Sequence, residues 1–163
     1  MILLAVIFSV NQPNANELAH QLMAIWQSGH VDQLTAILSA DVVYVDPVNN
    51  TQYTGVEQVA GYIKHVHRWA SDVIMHIERL ESCGNSAFIE WRMTAIQSGP
   101  IGDRMSVATM RPIEIRGATF ITVEKGLIAR AVDYLDALSF VLQLGSKVEL
   151  PGGTIMQLSP VTD

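Results

Sequence analysis

Cysteine and basic residues are scarce in this chain of 163 residues. The one cysteine, Cys83, cannot form a disulfide within the chain, and a lone cysteine excludes a metal site built on paired cysteines. Lys and Arg number 10 against 16 Asp and Glu, and the first basic residue is Lys64. The formal net charge is -6, so we expect neither nucleic acid nor an anionic membrane as a partner.

Long hydrophobic runs are missing after the first ten residues. Residues 1–10 are almost entirely apolar, but a membrane-spanning helix needs about 20 such residues, and a secretory signal begins with positive charge. We interpret residues 1–12 as an apolar arm packed on the domain or on a second subunit. We expect a cytoplasmic protein, with export through this segment as the alternative.

The order of the predicted elements indicates an α+β fold in one domain, residues 13–145, followed by an extended tail, residues 146–163. Helical periodicity covers residues 17–27 and 32–38, follows Gly55, and returns in a short closing helix at 137–144. Strands are predicted over residues 42–46, 73–80, 87–95, 105–110, 113–123 and 127–135. Consecutive strands of this kind predict an antiparallel sheet that buries one face under the helices and can enclose a cavity.

The last predicted strand carries one carboxylate on an otherwise apolar face. Alternation along the strand places on this face Leu127, Ala129, Ala131, Asp133 and Leu135. The opposite face is mixed and holds Ile128, Arg130, Val132 and Tyr134. Lost hydration should raise the pKa of Asp133 and suit it to proton transfer near neutrality. A salt bridge with Arg92 or Arg130 is the alternative, although both side chains should project to the other face.

Three patches of the sequence resemble the SnoaL-like polyketide cyclases and the limonene epoxide hydrolases, which share the nuclear-transport-factor-2-like fold. The patches are residues 40–47 with 53–57, residues 90–94, and residues 117–120 with 125–128 and 132–136. The resemblance covers residues 15–145. It implies a curved antiparallel sheet wrapped with the N-terminal helices into a cone around an apolar pocket, with no metal or other cofactor.

The epoxide hydrolases hold their attacking water with a Tyr, an Asn and an Asp, and bind and protonate the epoxide with an Arg and a second Asp. Tyr44 and Asp133 match the Tyr and the first Asp, while Asp46 stands where the Asn would be. The Arg and the second Asp fall at Trp91 and Met93. The resemblance therefore argues against epoxide hydrolysis itself.

Two related families give further expectations. In the cyclases a late-strand Asp works as acid and base, and Asp133 matches it, with Thr119 in place of the accompanying His. In the ketosteroid isomerases an Asp before Pro is the base, as Asp46 would be, but their oxyanion-hole residues fall at Leu22 and Ala118. Steroid isomerisation is therefore not expected.

The resemblance implies three catalytic residues: Asp133 as general acid/base, Tyr44 as hydrogen-bond donor to the substrate oxygen, and Asp46 as a second base or water-orienting group. For Asp46 a hydrogen bond within its own turn is the open alternative, and for Tyr44 a place in the core. The expected pocket lining is Trp91, Met93, Ile89, Ala131, Trp26 and Phe120. The substrate would be a small apolar molecule undergoing cyclisation, isomerisation or hydration; the alternative is a non-catalytic binding or assembly module.

Two further expectations concern the surface. The partly apolar outer face of the sheet, with Ile128, Val132 and Tyr134, predicts a homodimer. His65 and His67 lie two residues apart on a helix, so they cannot share a face as metal ligands would, and we expect His67 in solvent.

Overall fold

A computed structural model describes residues 13–103 and 105–158; the predicted N-terminal arm lies outside them. The helices are α1 (Ala15–Ser28), α2 (Val56–Trp69) and α3 (Ala137–Gln143), with a 3₁₀ helix at Val31–Ala36. The strands are β1 (Leu38–Asp46), β2 (Thr51–Thr54), β3 (Ala70–Cys83), β4 (Ser86–Gln97), β5 (Pro112–Glu124), β6 (Leu127–Leu135), β7 (Val148–Glu149) and β8 (Ile155–Met156). None of the described helices has the length and hydrophobicity needed to cross a membrane.

The large sheet has six strands in the order β2-β1-β6-β5-β4-β3, and it is open at both edges. Helices together with this sheet confirm the α+β class. Neighbouring strands are antiparallel except β1 and β6, which run parallel. The prediction of an antiparallel sheet is therefore wrong at this one pair. Tight hairpins force their two strands to be antiparallel, whereas β1 and β6 are joined through most of the domain.

Helix α1 begins and ends where its sequence predicts. The side chain of Asn14 accepts a hydrogen bond from the backbone N–H of Glu17, and the side chain of Glu17 accepts one from the backbone N–H of Asn14. Both backbone N–H groups, which have no partner within the helix, are thereby satisfied. Gly29 ends the helix in the left-handed conformation, at φ 70°. His67 of α2 is not in solvent as expected, because its Nε2 lies 2.8 Å from the carbonyl oxygen of Trp26. This contact joins α2 to the end of α1.

Strand β4 follows the predicted alternation along its whole length. Its inward residues are all buried: Ala87, Ile89, Trp91, Met93 and Ala95. Together with the apolar faces of α1 and α2 they form one continuous core. The concave side of the sheet therefore faces the helices, as the pattern predicts.

A bulge in β6 changes which residues face inward. Thr122 pairs with Arg130 but Val123 pairs with Ile128, so β6 has one extra residue, Ala129. As a result Ile128 is fully buried, and its predicted place on the outer face is wrong. Beyond the bulge the predicted alternation holds, and Asp133 points inward.

The predicted strand at residues 105–110 is wrong in the described part of that segment, which contains only an isolated bridge between Ile101 and Met105. Instead, the buried side chain of Gln97 organises a loop, residues 98–111. Its Nε2 donates to the carbonyls of Gly99 and Val107, and its Oε1 accepts from the backbone N–H of Thr109. Because a side chain satisfies these backbone groups, no neighbouring strand is needed.

The C-terminal tail was predicted to be extended, but its described part is a hairpin. Residues 148–156 fold back as the β7–β8 hairpin, closed by a backbone bond from Leu150 to the carbonyl of Thr154. Gly152 and Gly153 both have positive φ values, which allow the chain to reverse after Pro151.

Candidate functional site

The concave side of the sheet, the helices and the 98–111 loop enclose a cavity of about 800 Å³. This volume lies within the range that is typical of small-molecule sites. Its wall is largely apolar, and six aromatic side chains contribute to it: Trp26, Tyr53, Tyr62, Trp69, Trp91 and Phe140. Four methionines also line it: Met23, Met75, Met93 and Met105.

Asp133 lies in the wall of this cavity with only 4% of its surface exposed. It stands on β6 directly across from Thr119 of β5, whose Oγ1 donates to Oδ1 at 2.5 Å. On the other side of β6 is β1, and Tyr44 donates its hydroxyl proton to Oδ2, also at 2.5 Å. Each carboxylate oxygen is thus held by one hydroxyl from a neighbouring strand.

Two tryptophans extend this arrangement into a five-residue set, the Asp133 network: Trp26, Tyr44, Asp133, Thr119 and Trp91. Nε1 of Trp26 donates to the hydroxyl of Tyr44 at 3.0 Å, and Nε1 of Trp91 donates to Oγ1 of Thr119 at 2.8 Å. An indole N–H can only donate, so each hydroxyl accepts from an indole and directs its own proton to Asp133. The network is arranged for a carboxylate at its centre.

Opposing effects set the acidity of Asp133. Burial raises its pKa to about 6, the hydrogen bonds from Thr119 and Tyr44 oppose the rise, and the charge of Asp46 adds to it. The pKa of Tyr44 is raised well above its usual value, first by burial and then by Asp133, so its hydroxyl stays protonated. Asp133 therefore titrates close to neutrality, while its donor does not.

No described Lys or Arg forms a salt bridge with Asp133. Arg92 pairs instead with Glu78 at 2.8 Å and with Glu114 at 3.6 Å, and Arg130 is exposed. The alternative interpretation, in which Asp133 pairs with one of these arginines, is not observed.

Asp46 is fully buried behind the wall and takes part in its own turn. Its Oδ1 accepts from the backbone N–H of Asn49 at 3.1 Å, and its Oδ2 accepts from the side-chain amide of Asn49 at 2.7 Å. The hydroxyl of Tyr62 also donates to Oδ2, at 3.1 Å. Burial, followed by the charges of Asp133 and Asp46, raises the pKa of Tyr62 well above its usual range.

Four aromatic residues, here called the aromatic corner, pack beside Asp133: Trp26, Tyr44, Tyr53 and Tyr62. The ring of Tyr62 is edge-on to Trp26 at 5.2 Å and to Tyr44 at 6.0 Å, and it stacks on Tyr53 at 4.5 Å. These are favourable geometries for aromatic pairs. The corner therefore presents a fixed aromatic surface next to the carboxylate.

The six residues expected to line the pocket fall into three groups. Trp26, Trp91 and Met93 line the cavity, whereas Ile89 and Ala131 are buried in the core without reaching it. Phe120 lies on the opposite face of the sheet, 48% exposed, with its ring 5.1 Å from that of Phe88. The inward position in this part of β5 belongs to Thr119, so its neighbour must point outward.

Three residues of the site were not among the predicted site residues. Thr119 was considered only as the replacement for a histidine, although it alternates with buried Ile121 and so shares the inward face of β5. Tyr62 precedes Ile63 on the buried stripe of α2, a signal too weak to identify it. His65 also reaches the cavity; Arg68 donates to its Nδ1 at 3.0 Å, and burial followed by that charge lowers its pKa.

Within the described residues, no three His, Cys, Asp or Glu side chains are grouped closely enough to hold a metal ion. The lining residues with polar side chains other than tryptophan are few: Asn49, Tyr53, Tyr62, His65, Asp103, Thr119 and Asp133. This arrangement can bind an apolar molecule and exchange a proton with it at Asp133.

Comparison with known proteins places this geometry in a family context. A family model described as a SnoaL-like domain matches residues 19–131. Solved structures with the same fold include a Catenulispora acidiphila protein with a ketosteroid isomerase-like fold, in complex with trimethylamine. The identity is 22%, with 81% of this chain and 95% of that chain covered and a TM-score of 0.68.

Two more structures have this fold. One is from Jannaschia sp. CCS1 and is assigned to the SnoaL-like polyketide cyclases (14% identity, 82% and 95% of the two chains, TM-score 0.71). The other is an M. tuberculosis LEH-like epoxide hydrolase (18% identity, 80% and 88%, TM-score 0.62). No curated protein sequence matched the chain. At these identities the structures show a common fold, the α+β cone.

Proposed function

The chain belongs to the family of SnoaL-like domains, and from this premise and the geometry of the cavity we propose that it is a cofactor-independent enzyme for small, largely apolar organic molecules. Asp133 is the main support for this proposal. It is a buried carboxylate in the wall of the cavity, without a described basic partner, and its pKa of about 6 makes both protonation states accessible. General acid/base catalysis works best with such a group.

In the proposed mechanism Asp133 removes a proton from one atom of the substrate and returns it to another. The carboxylate takes the proton from carbon next to a carbonyl, and the resulting carboxylic acid then protonates a different position. In an isomerisation one C–H bond breaks and another forms. In an aldol-type cyclisation the enolate carbon attacks a second carbonyl of the same molecule, whose C=O π bond breaks, and the carboxylic acid protonates the resulting alkoxide; neither reaction needs a co-reactant. Trp91 and Met93 exclude water beside the acid, which strengthens its polar contacts with the substrate.

Tyr44 and Asp46 support this mechanism without touching the substrate. The hydroxyl proton of Tyr44 is already donated to Asp133, so we assign Tyr44, with Thr119, to positioning the carboxylate. Asp46 accepts from Tyr62 behind the wall and so positions that ring. This replaces the expectation that Tyr44 binds the substrate oxygen and that Asp46 is a second base.

His65 is the proposed donor to the substrate oxygen. Arg68 donates to its Nδ1, so the neutral ring carries its proton on Nε2. Burial and the charge of Arg68 lower its pKa, which favours the neutral ring. A neutral donor of this kind stabilises negative charge that develops on a carbonyl oxygen.

Exchange of substrate hydrogen with solvent deuterium tests the mechanism. Enolisable ketones and aromatic polyketides are incubated with the protein in deuterated buffer, and NMR follows the hydrogens next to each carbonyl; epoxides are screened in parallel for ring opening. Asp133→Asn should slow exchange by about 10²–10⁴-fold. The control is Asp136→Asn, an exposed helix-capping position outside the cavity, which should leave exchange unchanged. Full exchange by the Asp133→Asn variant would exclude the mechanism.

A non-catalytic binding module is the second candidate. It is favoured by Trp91 and Met93, which stand where the resemblance to epoxide hydrolases would place an Arg and an Asp. A ligand that co-purifies with the protein, identified by mass spectrometry, together with no exchange on any substrate, would support this function over catalysis.

A further inference from the structure

The described wall of the cavity is acidic. Its acidic side chains are Asp133 and Asp103, the lowered pKa of His65 favours the neutral ring, and no described lining residue is Lys or Arg. Burying a carboxylate without a cationic partner is unfavourable. A ligand that carries positive charge would supply this partner.

Asp133 also retains the capacity to accept hydrogen bonds from a ligand. A carboxylate offers about four lone-pair positions, and Tyr44 and Thr119 occupy one on each oxygen. Because Asp133 is part of the cavity wall, an N–H donor inside the cavity has an acceptor there. Such a charge-assisted bond is about twice as strong as a neutral one.

The apolar part of the wall has the same preference for positive charge. Trp26 and Trp91, which belong to the Asp133 network, and Tyr62, which packs on Trp26, contribute aromatic rings to the wall. A cation near the face of such a ring is attracted by its quadrupole. The attraction is strongest at sites that exclude water. Aromatic rings and a buried carboxylate therefore act on a cation in the same direction.

We propose that this cavity selects positively charged organic ligands, and that the substrates of the proposed enzyme are small apolar molecules bearing a protonated amine. The statement about substrates rests on the proposed function, whereas the charge preference of the cavity does not. The ammonium group would donate to Asp133, with its carbon atoms against the rings of Trp26, Tyr62 and Trp91.

Three probes of nearly equal size and different charge test this preference: phenethylammonium, phenethyl alcohol and phenylacetate. All three tryptophans of the chain, Trp26, Trp69 and Trp91, line the cavity, so intrinsic tryptophan fluorescence reports binding there. At neutral pH the ammonium should bind at least about tenfold more tightly than the alcohol, and phenylacetate should bind most weakly. Saturation-transfer NMR confirms the order of affinities.

Substitutions assign the preference to its source. Asp133→Asn should bring the affinity for the ammonium close to that for the alcohol, while Asp136→Asn, outside the cavity, should retain the preference. If the wild type binds the alcohol as tightly as the ammonium, the charge preference is refuted and the proposed function is untouched. If Asp133→Asn keeps the preference, the assignment to Asp133 is refuted. If none of the probes binds, this inference is refuted, and the deuterium-exchange experiment remains the separate test of the proposed function.

Discussion

Replacing Thr119 by valine should raise the pKa of Asp133. Valine matches threonine in shape but has no hydroxyl, so Oδ1 of Asp133 loses its donor while Tyr44 still holds Oδ2. A hydrogen bond to a carboxylate stabilises the charged form, and its removal therefore favours the protonated form. The substitution removes one hydroxyl from the wall of the cavity and keeps the shape of the side chain.

The size of the change follows from the strength of this bond. Hydrogen bonds to charged groups contribute about 1.5–3 kcal/mol, and one pKa unit corresponds to about 1.4 kcal/mol. The pKa of Asp133 should therefore rise from about 6 to roughly 7 to 8. The same substitution leaves the indole N–H of Trp91 without its acceptor, which should cost about 1–3 kcal/mol of stability.

Carbon-13 NMR of the aspartate carboxyl groups measures this pKa directly, and Asp133→Asn identifies the signal. Thr122→Val is the matched control, because Thr122 lies on the same strand but faces away from the cavity. In an activity assay, the limb of the pH profile that reports the Asp133 carboxylate should move to higher pH by the same amount. If the titration midpoint of the Asp133 carboxyl group in Thr119→Val stays at its wild-type value or falls, the role assigned to Thr119 is refuted.

Three other predictions concern stability and assembly. Because the pKa of Asp133 in the folded protein, about 6, lies above its ordinary value of 3.8, its contribution to stability is fully present below pH 3.8 and is lost as the pH rises through about 6. This loss is about 3 kcal/mol, and denaturation curves of Asp133→Asn should not show it. Gly117→Ala places a Cβ 2.4 Å from the ring of Trp91 and should cost about 1–3 kcal/mol, whereas Gly61→Ala, with open space around its Cβ, should stabilise α2. We also expect a homodimer through the outer sheet face; light scattering should give twice the monomer mass at micromolar concentration, and Tyr134→Arg should reduce it to the monomer.

The position of the acid could be predicted because it depends on a local pattern. Alternation along β6 places Asp133 inward, and the bulge at Ala129 changes only the facing of the residues that precede it. The two hydrogen-bond donors to Asp133 could not be predicted in this way. The position of Thr119 depends on the register of β5 against β6, and that of Tyr44 depends on the pairing of β1 with β6. The resemblance indicated Tyr44 as part of a site, but the pattern of one strand does not determine its partner.

The wrong predictions concern residues whose conformation depends on other parts of the chain. Residues 105–110 have the composition of a strand, but the side chain of Gln97 satisfies the backbone there and leaves Val107 exposed. Ile128 was placed outward because a bulge has no sequence signal of its own in this segment. Phe120, which was expected to line the pocket, faces outward because its neighbour Thr119 occupies the inward position.

The parallel pairing of β1 with β6 determines when the site forms during synthesis of the chain. One donor to Asp133 lies 14 residues away, but the other lies 89 residues away. Until β6 has been synthesised, β1 can pair only with β2. Both β1 and β5 then present an open edge that another chain could join. Contacts so distant in sequence form slowly. The ribosome must therefore release nearly the whole domain before Asp133 enters the interior. A chain that stops before residue 127 would have unprotected strand edges and would lack Asp133.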